Sequence, residues 1–233
     1  MKPIIGIVAK PGYDNPMDIW KRMDIVDELR FLIVQNGGIA ITILPTENTM
    51  KFNDNDTNED KNLTKGEIKD LYQIIDKCDG IILQGGLVSC KYEIEVAKRA
   101  LELDIPLIGI CAGFNNILRA IGSDVEYDES QKHNHYDIDY RHEVKICKDT
   151  LLYELVNKEN IEVNSIHSMI AKRESVEPFA KISAVSKDGL VECFELPLKS
   201  FVMGIKWHPE LMINDKSTKA IFSKFVEECK RNI

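Results

Sequence analysis

A cysteine flanked by glycines gives the first chemical signal in the chain. Residues 109–113 read Gly-Ile-Cys-Ala-Gly, after an apolar run and before a helical pattern. A sharp turn from strand to helix strains the backbone of its central residue, and glycines two positions to either side avoid a steric collision there. The same turn puts the Cys111 thiol at a helix N-terminus, where the partial positive charge favours the thiolate. The segment predicts a nucleophile, and the alternative is an inert core cysteine between two unrelated glycines.

A base and an orienting acid stand together near the end of the chain. Residues 204–210 read Gly-Ile-Lys-Trp-His-Pro-Glu, so His208 and Glu210 are two positions apart. In extended backbone such residues project to the same side, where a carboxylate can hold an imidazole and stabilise its charged form. A cysteine nucleophile needs a base of this kind. We therefore predict Cys111, His208 and Glu210 as the catalytic residues; without the cysteine, the other two would be read as a strand end and a solvated acid.

Alternating strands and helices must position these residues. Apolar runs predict strands at 3–8, 39–44, 80–84 and 106–110, and periodic apolar residues predict helices at 17–35, 64–78, 92–103, 113–121 and 217–230. Shorter strand-like segments follow residue 136, with a hairpin turn at Asp188-Gly189. This order predicts one three-layer α/β domain over residues 1–233, with a flavodoxin-like, mostly parallel sheet and a partly antiparallel C-terminal half. The Asn- and Asp-rich run at 46–62 predicts a mobile loop.

Composition limits the functions that the chain can have. Its 233 residues include 30 Lys+Arg and 38 Asp+Glu, for a net charge of −8, so binding to nucleic acid by bulk charge is not expected. No apolar run reaches the roughly 18–20 residues that span a bilayer. The six cysteines show neither a disulfide framework nor a zinc ribbon. We expect a cytoplasmic enzyme or binding protein without membrane contact.

Taken together, the motifs resemble the class I glutamine amidotransferase superfamily. Within it, they resemble most the peptidase C26 branch of γ-glutamyl hydrolases, which includes γ-glutamyl-γ-aminobutyrate hydrolase. Besides the cysteine turn and Trp-His-Pro-Glu, the similar segments are Pro-Ile-Ile-Gly-Ile at 3–7, Leu-Gln-Gly-Gly at 83–86, Val-Asn-Ser-Ile-His at 163–167 and Asp-Gly-Leu-Val-Glu at 188–192. Each is weak evidence alone, but their shared order along nearly the whole chain is specific.

The resemblance implies a mechanism and a set of site residues. Cys111 would attack a γ-glutamyl carbonyl and form a thioester, His208 would shuttle the proton, and Glu210 would orient His208. Backbone amides of Gly86 and Ala112 would form the oxyanion hole. The substrate pocket would include Gly85, Asn115, Asn164, Ser165 and His167. No cofactor is implied, and His167 could equally be a core histidine bonded to backbone.

Several positions depart from the family's pattern. Asn115 replaces a Gln that contacts the glutamyl group, Ala112 replaces a common Arg, and Lys206 replaces the Gln before Trp-His-Pro-Glu. An acidic residue after the double glycine is absent from 87–90, and His-His-Gln reads His-Ser-Met at 167–169. The shorter Asn115 would weaken recognition of a glutamyl group without forbidding it. Hydrolase chemistry is therefore better supported than any single substrate.

A stretch rich in His and Asp raises the question of a metal. The residues concerned are His133, His135, Asp137, Asp139 and His142. Such stretches are commonly solvated loops, and no second ligand cluster has the spacing of a zinc site. We therefore predict no metal site, and the resemblance places this segment at the mouth of the active site.

Three functions are compatible with these observations. The first is a free-standing hydrolase of a small-molecule γ-glutamyl amide. The second is a glutaminase subunit that delivers ammonia to a separate synthetase chain. The third is a non-catalytic binding homologue that keeps the cysteine turn but has lost turnover. The sequence leaves open whether the chain forms a homodimer or works with a synthetase partner.

Overall fold

The computed structural model describes residues 1–12, 20–47, 60–86, 90–135 and 137–230. In chain order the elements are β1 (Ile4–Val8), β2 (Lys10–Pro11), β3 (Met23–Asp24), α1 (Asp27–Gln35), β4 (Ile39–Ile43), α2 (Lys65–Ile75), β5 (Gly80–Leu83), α3 (Lys91–Glu102), β6 (Leu107–Ile110), α4 (Ala112–Ala120), β7 (Glu126–Tyr127), β8 (His142–Ile146), α5 (Leu151–Val156), β9 (Asn160–Val163), β10 (Met169–Ile170), α6 (Arg173–Val176), β11 (Lys181–Ser186), β12 (Val191–Glu195), β13 (Val202–Ile205) and α7 (Lys216–Cys229). A 3₁₀ turn over Pro209–Met212 precedes α7.

A nine-stranded sheet forms the centre of the molecule, in the order β4-β1-β5-β6-β13-β12-β11-β8-β9. The first five of these strands pair in parallel, and the pairs from β13 to β9 are antiparallel. Taken in chain order, the parallel strands lie second-first-third-fourth-fifth, which is the flavodoxin-like arrangement. The predicted α/β class, with a parallel sheet and an antiparallel C-terminal half, is confirmed.

Helices cover both faces of the central strands, so β1, β5, β6 and β13 are apolar on each side. Apolar residues of α2, α3, α4 and α6 pack into one buried cluster, and those of α1, α5 and α7 pack into the other. Burial on both faces explains why the central parallel strands read as continuous apolar runs. The predicted three layers follow from these two cores. Among the described residues, no helix is long and apolar enough to span a bilayer.

The first helix begins later than predicted. The sequence predicts a helix over 17–35, whereas α1 begins at Asp27 and residues 20–26 are not helical; residues 17–19 lie outside the described part of the chain. The Gln84 side chain binds the preceding segment, because its Oε1 accepts from Val26 N at 2.9 Å and its Nε2 donates to the Asp24 carbonyl at 2.8 Å. Backbone groups that a helix would use are therefore bonded across the end of the sheet. Apolar spacing alone could not reveal this side-chain contact.

Other local predictions lie partly outside the described residues. Most of the predicted mobile loop at 46–62 falls there, so its mobility stays a prediction. The predicted start of α2 is confirmed: Glu67 N donates to Thr64 Oγ1, and Thr64 N donates to Glu67 Oε2. This reciprocal pair satisfies amides that have no acceptor within the helix.

Candidate active site

Cys111 occupies the turn between β6 and α4 in a strained conformation. Its φ is 49° and its ψ is −96°, in a region that residues with a Cβ rarely adopt. A Cβ at Gly109 would lie 2.5 Å from the Gly113 carbonyl oxygen, and one at Gly113 would lie 2.1 Å from the Leu83 carbonyl oxygen. Both glycines are therefore required by close contact between backbones. This is the turn that the glycine spacing predicts.

His208 lies between Cys111 and Glu210. Its Nδ1 is 2.7 Å from Glu210 Oε1. Its ring and the Cys111 side chain both border Gly85, where a Cβ would lie 2.5 Å from His208 Cε1 and 3.5 Å from Cys111 Cβ. Glu210 is only 2% exposed, because the 3₁₀ turn over Pro209–Met212 carries it into the interior. The three residues that the sequence predicts as catalytic thus meet although 97 positions separate Cys111 from His208.

Charge around this group favours a thiolate–imidazolium pair. Burial alone would raise the pKa of Cys111, but the charge and hydrogen bond of His208, together with the charge of Lys206, lower it below its usual range. Burial alone would lower the pKa of His208, but Glu210 and Cys111 raise it well above its usual range. The thiol is therefore the acid and the imidazole the base in this pair.

Asn164 holds the backbone of His208. Its Nδ2 donates to the His208 carbonyl at 2.8 Å, and its Oδ1 accepts from His208 N at 2.8 Å. Asn164 is fully buried, so both ends of its amide are already used by the protein. The structure gives Asn164 a contact that positions His208, and its predicted contact with substrate stays a prediction.

Ser165 and His167 also bond within the protein. Ser165 Oγ donates to the His133 carbonyl at 2.9 Å, and His167 Nδ1 lies 3.1 Å from the Met169 carbonyl oxygen. Burial lowers the pKa of His167 well below its usual range, so the ring is neutral. Of the two interpretations of His167, these contacts favour the core histidine. Its predicted substrate contact, like that of Ser165, has no support from these bonds.

The glycines before α3 approach the catalytic residues closely. A Cβ at Gly85 would lie 2.5 Å from His208 Cε1 and 3.5 Å from Cys111 Cβ, so any side chain there would displace His208. Gly86 has a φ of 154°, which disfavours a side chain. Ala112 opens α4, and the first amides of a helix have no acceptor within it. The predicted oxyanion hole of Gly86 and Ala112 stays a prediction, with Gly85 beside the thiol.

Two departures from the family's pattern contact each other. Lys206 Nζ donates to Asn115 Oδ1 at 2.7 Å and lies 4.8 Å from the centre of the Phe114 ring. Lys206 is 1% exposed and Asn115 6% exposed, so the bond lies in the interior beside Cys111. Lys206, a long cation, and Asn115, a short amide, occupy two positions where the family's pattern has glutamine. Each departure is visible in the sequence, but their contact is not, because 91 positions separate them.

The His- and Asp-rich segment does not act as one unit. His135 and Asp137 are bonded locally, to the Lys132 carbonyl and the Asp139 amide. His133 and His142 instead turn toward Glu192 on β12. Glu192 was not among the candidate residues, since it appears in the sequence only as the last letter of Asp-Gly-Leu-Val-Glu.

Comparisons with known proteins place this geometry in a known class. The structure aligns with a putative GMP synthase component from Thermoplasma acidophilum, at a TM-score of 0.67 and 15% identity over 100% of this chain and 96% of that one. That identity supports the fold alone. The fold and the cysteine turn define the class: a three-layer α/β protein with a cysteine at the turn that follows its fourth parallel strand.

Sequence similarity narrows the class to one family. Residues 90–210 match the family model of peptidase C26, so the chain belongs to that family. It is 28% identical to γ-glutamyl-γ-aminobutyrate hydrolase PuuD of Escherichia coli, over 70% of this chain and 76% of the relative. It is 32% identical to protein NtpR of Enterococcus hirae, over 63% of this chain and 65% of that relative. The chain is thus a hydrolase or amidotransferase-like enzyme.

Proposed function

We propose that the chain hydrolyses a γ-glutamyl amide bond through Cys111, His208 and Glu210. The observation that carries the proposal is the meeting of Cys111, at a strained turn, with His208 beside Gly85, where the His208 ring is held by Glu210. Similarity to a γ-glutamyl-γ-aminobutyrate hydrolase supports the choice of acyl group. Lys206 and Asn115 distinguish this pocket from the family's pattern, so the leaving amine is open.

The geometry supports a two-step reaction. The Cys111 thiolate attacks the γ-carbonyl carbon and forms a C–S bond, while amides of Gly86 and Ala112 hold the oxyanion. His208 then gives its proton to the leaving nitrogen as the C–N bond breaks. Water next loses a proton to His208 and attacks the thioester, the C–S bond breaks, and the acid and the thiolate are released.

Amine release from purified protein tests the proposal. The substrates are γ-glutamyl-γ-aminobutyrate, γ-glutamyl anilide and glutamine, each assayed with the native chain, Cys111→Ala and the matched control Cys147→Ala. We expect release from a γ-glutamyl amide that Cys111→Ala abolishes and Cys147→Ala keeps, because Cys147 lies outside the site. If Cys111→Ala released as much amine as the native chain, Cys111 would not be the nucleophile.

The same assay separates the alternative functions. The second function is that of a glutaminase subunit that delivers ammonia to a separate synthetase chain. Ammonia release from glutamine without release from γ-glutamyl amines would favour that role. A thioester that accumulates on Cys111 without turnover would favour the non-catalytic homologue.

A further inference from the structure

Three side chains of the metal-ligand type meet in the interior. His133 precedes β8, His142 begins β8, and Glu192 lies in β12. One ligand atom from each lies within 4.8 Å of the other two, and His133 Nδ1 is 4.0 Å from Glu192 Oε1. Two ligands at about 2.1 Å from a tetrahedral zinc ion are themselves about 3.4 Å apart. Small side-chain rotations would therefore bring these atoms to coordination distance.

Two of these side chains have unsatisfied polar atoms. Glu192 is fully buried, and among the described residues neither of its carboxylate oxygens has a hydrogen-bond partner. Its Oε1 lies 3.8 Å from His167 Nε2, and burial raises its pKa while the charge of the buried Lys206 acts to lower it. The buried Nε2 of His142 also lacks a partner within the described part of the chain. Buried polar atoms are normally bonded, and buried charges are paired or coordinate metals. One cation between them would satisfy both residues at once.

The third side chain is already oriented for coordination. His133 Nε2 lies 3.0 Å from Asp188 Oδ2, on the opposite edge of the ring from Glu192. A carboxylate on the far nitrogen of a histidine fixes the ring and leaves the near nitrogen, here Nδ1, as the electron-pair donor. The Asp188 side chain is half exposed, so this outer edge of the His133 ring faces the surface while Glu192 lies inside.

We propose that His133 Nδ1, His142 Nε2 and the Glu192 carboxylate form a binding site for a divalent transition-metal ion of the zinc class. Two imidazoles and one carboxylate suit zinc, whereas Mg²⁺ and Ca²⁺ take oxygen ligands. This site uses none of the three proposed catalytic residues and does not rest on the proposed reaction. It reverses the sequence-based prediction of no metal, because Glu192 joins the histidines only in the folded chain.

A bound ion would brace the wall of the active site. The His133 carbonyl accepts bonds from Ser165 Oγ and from His167 N. Between those two residues, the Ile166 carbonyl faces the Cys111 sulfur at 3.7 Å. Fixing His133 would therefore fix the segment against which the thiol lies.

Metal binding is tested in the full chain carrying Cys111→Ser, which removes the thiol as a competing ligand. Zn²⁺ affinity is measured against a chromophoric chelator, and Co²⁺ is used as a spectroscopic probe. We expect one ion per chain, a cobalt spectrum without thiolate charge transfer, and a higher Tm with Zn²⁺. His142→Ala and Glu192→Gln should each lower the affinity by more than about a hundredfold, and Asp188→Asn by about 10–100-fold.

His135→Ala is the matched control, because His135 lies on the same segment but bonds to the Lys132 carbonyl. It should leave the affinity unchanged. If circular dichroism shows that Glu192→Gln does not fold, His142→Ala is the variant that decides, since His142 is only partly buried. Three outcomes would each overturn the site: no Zn²⁺ binding by Cys111→Ser, a cobalt–thiolate band, or unchanged affinity in His142→Ala. A bridging water would then be its occupant.

Discussion

Opposing effects on the Cys111 thiol make it unlike the other cysteines. Burial raises the pKa of Cys78 to about 11 and of Cys90 to about 12, and it raises the pKa values of Cys147, Cys193 and Cys229 as well. Only at Cys111 do neighbouring charges outweigh burial and lower the pKa. The thiolate is the reactive form of cysteine, so reactivity should follow this difference.

Limiting iodoacetamide at neutral pH should label Cys111 before any other cysteine. The labelling rate of Cys111 should reach its plateau at a lower pH than that of an ordinary thiol, because the pKa of Cys111 is lowered. His208→Ala should slow labelling at pH 7 by about tenfold or more, since it removes the charge and hydrogen bond that oppose burial. Peptide mapping measures both effects. Earlier labelling of Cys147 would contradict the assignment.

The Lys206–Asn115 bond changes the expectation for the substrate pocket. From the sequence, Asn115→Gln would restore a family contact and could improve recognition of a glutamyl group. In the structure the added methylene would press against the buried Lys206 Nζ, which already lies 2.7 Å from Asn115 Oδ1. Overpacking of this kind typically costs about 1–3 kcal/mol. The two positions should therefore be changed together.

Asn115→Gln alone should lower kcat/KM for γ-glutamyl anilide. Asn115→Gln with Lys206→Gln should recover part of the loss, because it relieves the overpacking but also removes a charge that lowers the pKa of Cys111. Residues in contact show coupling energies of about 0.5–3 kcal/mol, which a cycle of the two single variants and the double variant measures. The matched control is Asn115→Gln with Lys219→Gln, because Lys219 is exposed on α7. If the effects of Asn115→Gln and Lys206→Gln on kcat/KM were additive, the two side chains would not be coupled, which would contradict their pairing.

At the scale of elements, the turn from β6 to α4 depends on contacts between backbones. The space beside Gly109 is filled by the Gly113 carbonyl, and the space beside Gly113 by the Leu83 carbonyl. Backbone cannot move aside without moving the turn, and Cys111 sits at its centre. Gly66 in α2 differs, since the nearest atom to a Cβ there would be Thr64 Oγ1 at 3.9 Å.

Gly109→Ala should lower kcat/KM by about a hundredfold, because a misplacement of about 1 Å at a nucleophile can have that effect. Gly66→Ala, in contrast, should leave activity intact and stabilise the fold by up to about 1 kcal/mol, since alanine favours helix over glycine. Activity on γ-glutamyl anilide and urea unfolding measure the two outcomes. Full activity in Gly109→Ala would show that the turn tolerates a side chain.

Local signals predict the elements well where the cause is local. The start of α2 follows from the reciprocal bonds of Thr64 and Glu67, which are three positions apart. The start of α1 depends on Gln84, whose side chain bonds to Asp24 and Val26 about sixty positions away. No pattern within 17–35 contains that information. The same holds at the active site. The cysteine turn is predictable because its glycines are close to Cys111 in the chain, whereas the bonds of Asn164 with His208 join residues that are far apart in the chain.

Across the whole molecule, the sheet order brings distant motifs together. Gly204 on β13 pairs with Gly109 on β6, so the segments that lead to His208 and Cys111 run side by side. Parallel neighbours end at the same edge of a sheet, so Cys111 and His208 follow strands that end side by side. The sequence pattern puts the strand before His208 in the partly antiparallel half, so its place next to β6 is not predicted by strand spacing. The cluster of His133, His142 and Glu192 forms in the antiparallel half, where the strand order was not predictable from spacing.

A buried ion pair links the start of the chain to α3 beside the glycine turn. Lys10 Nζ lies 2.8 Å from Glu93 Oε2, and their side chains are 6% and 0% exposed. Glu93 also accepts from the Cys90 amide, which opens α3. The Lys10 stem packs against Gly86, where a Cβ would lie 2.5 Å from Lys10 Cδ. Loss of this charge should therefore affect stability across both segments.

Lys10→Met keeps the stem and removes the charge, and it should lower the free energy of unfolding by about 3–5 kcal/mol, as expected for an unpaired buried carboxylate. Burial raises the pKa of Glu93 while Lys10 lowers it, so the variant raises it further. A carboxyl whose folded pKa lies above its unfolded value binds its proton more tightly when folded, and stability therefore falls as pH rises. The stability deficit of Lys10→Met should shrink from pH 8 to pH 5.5 as Glu93 protonates.

Urea unfolding at both pH values measures this deficit. Arg30→Met, on the exposed face of α1, is the control and should leave stability unchanged. A deficit independent of pH would show that lost packing, not the unpaired Glu93 charge, is the cause.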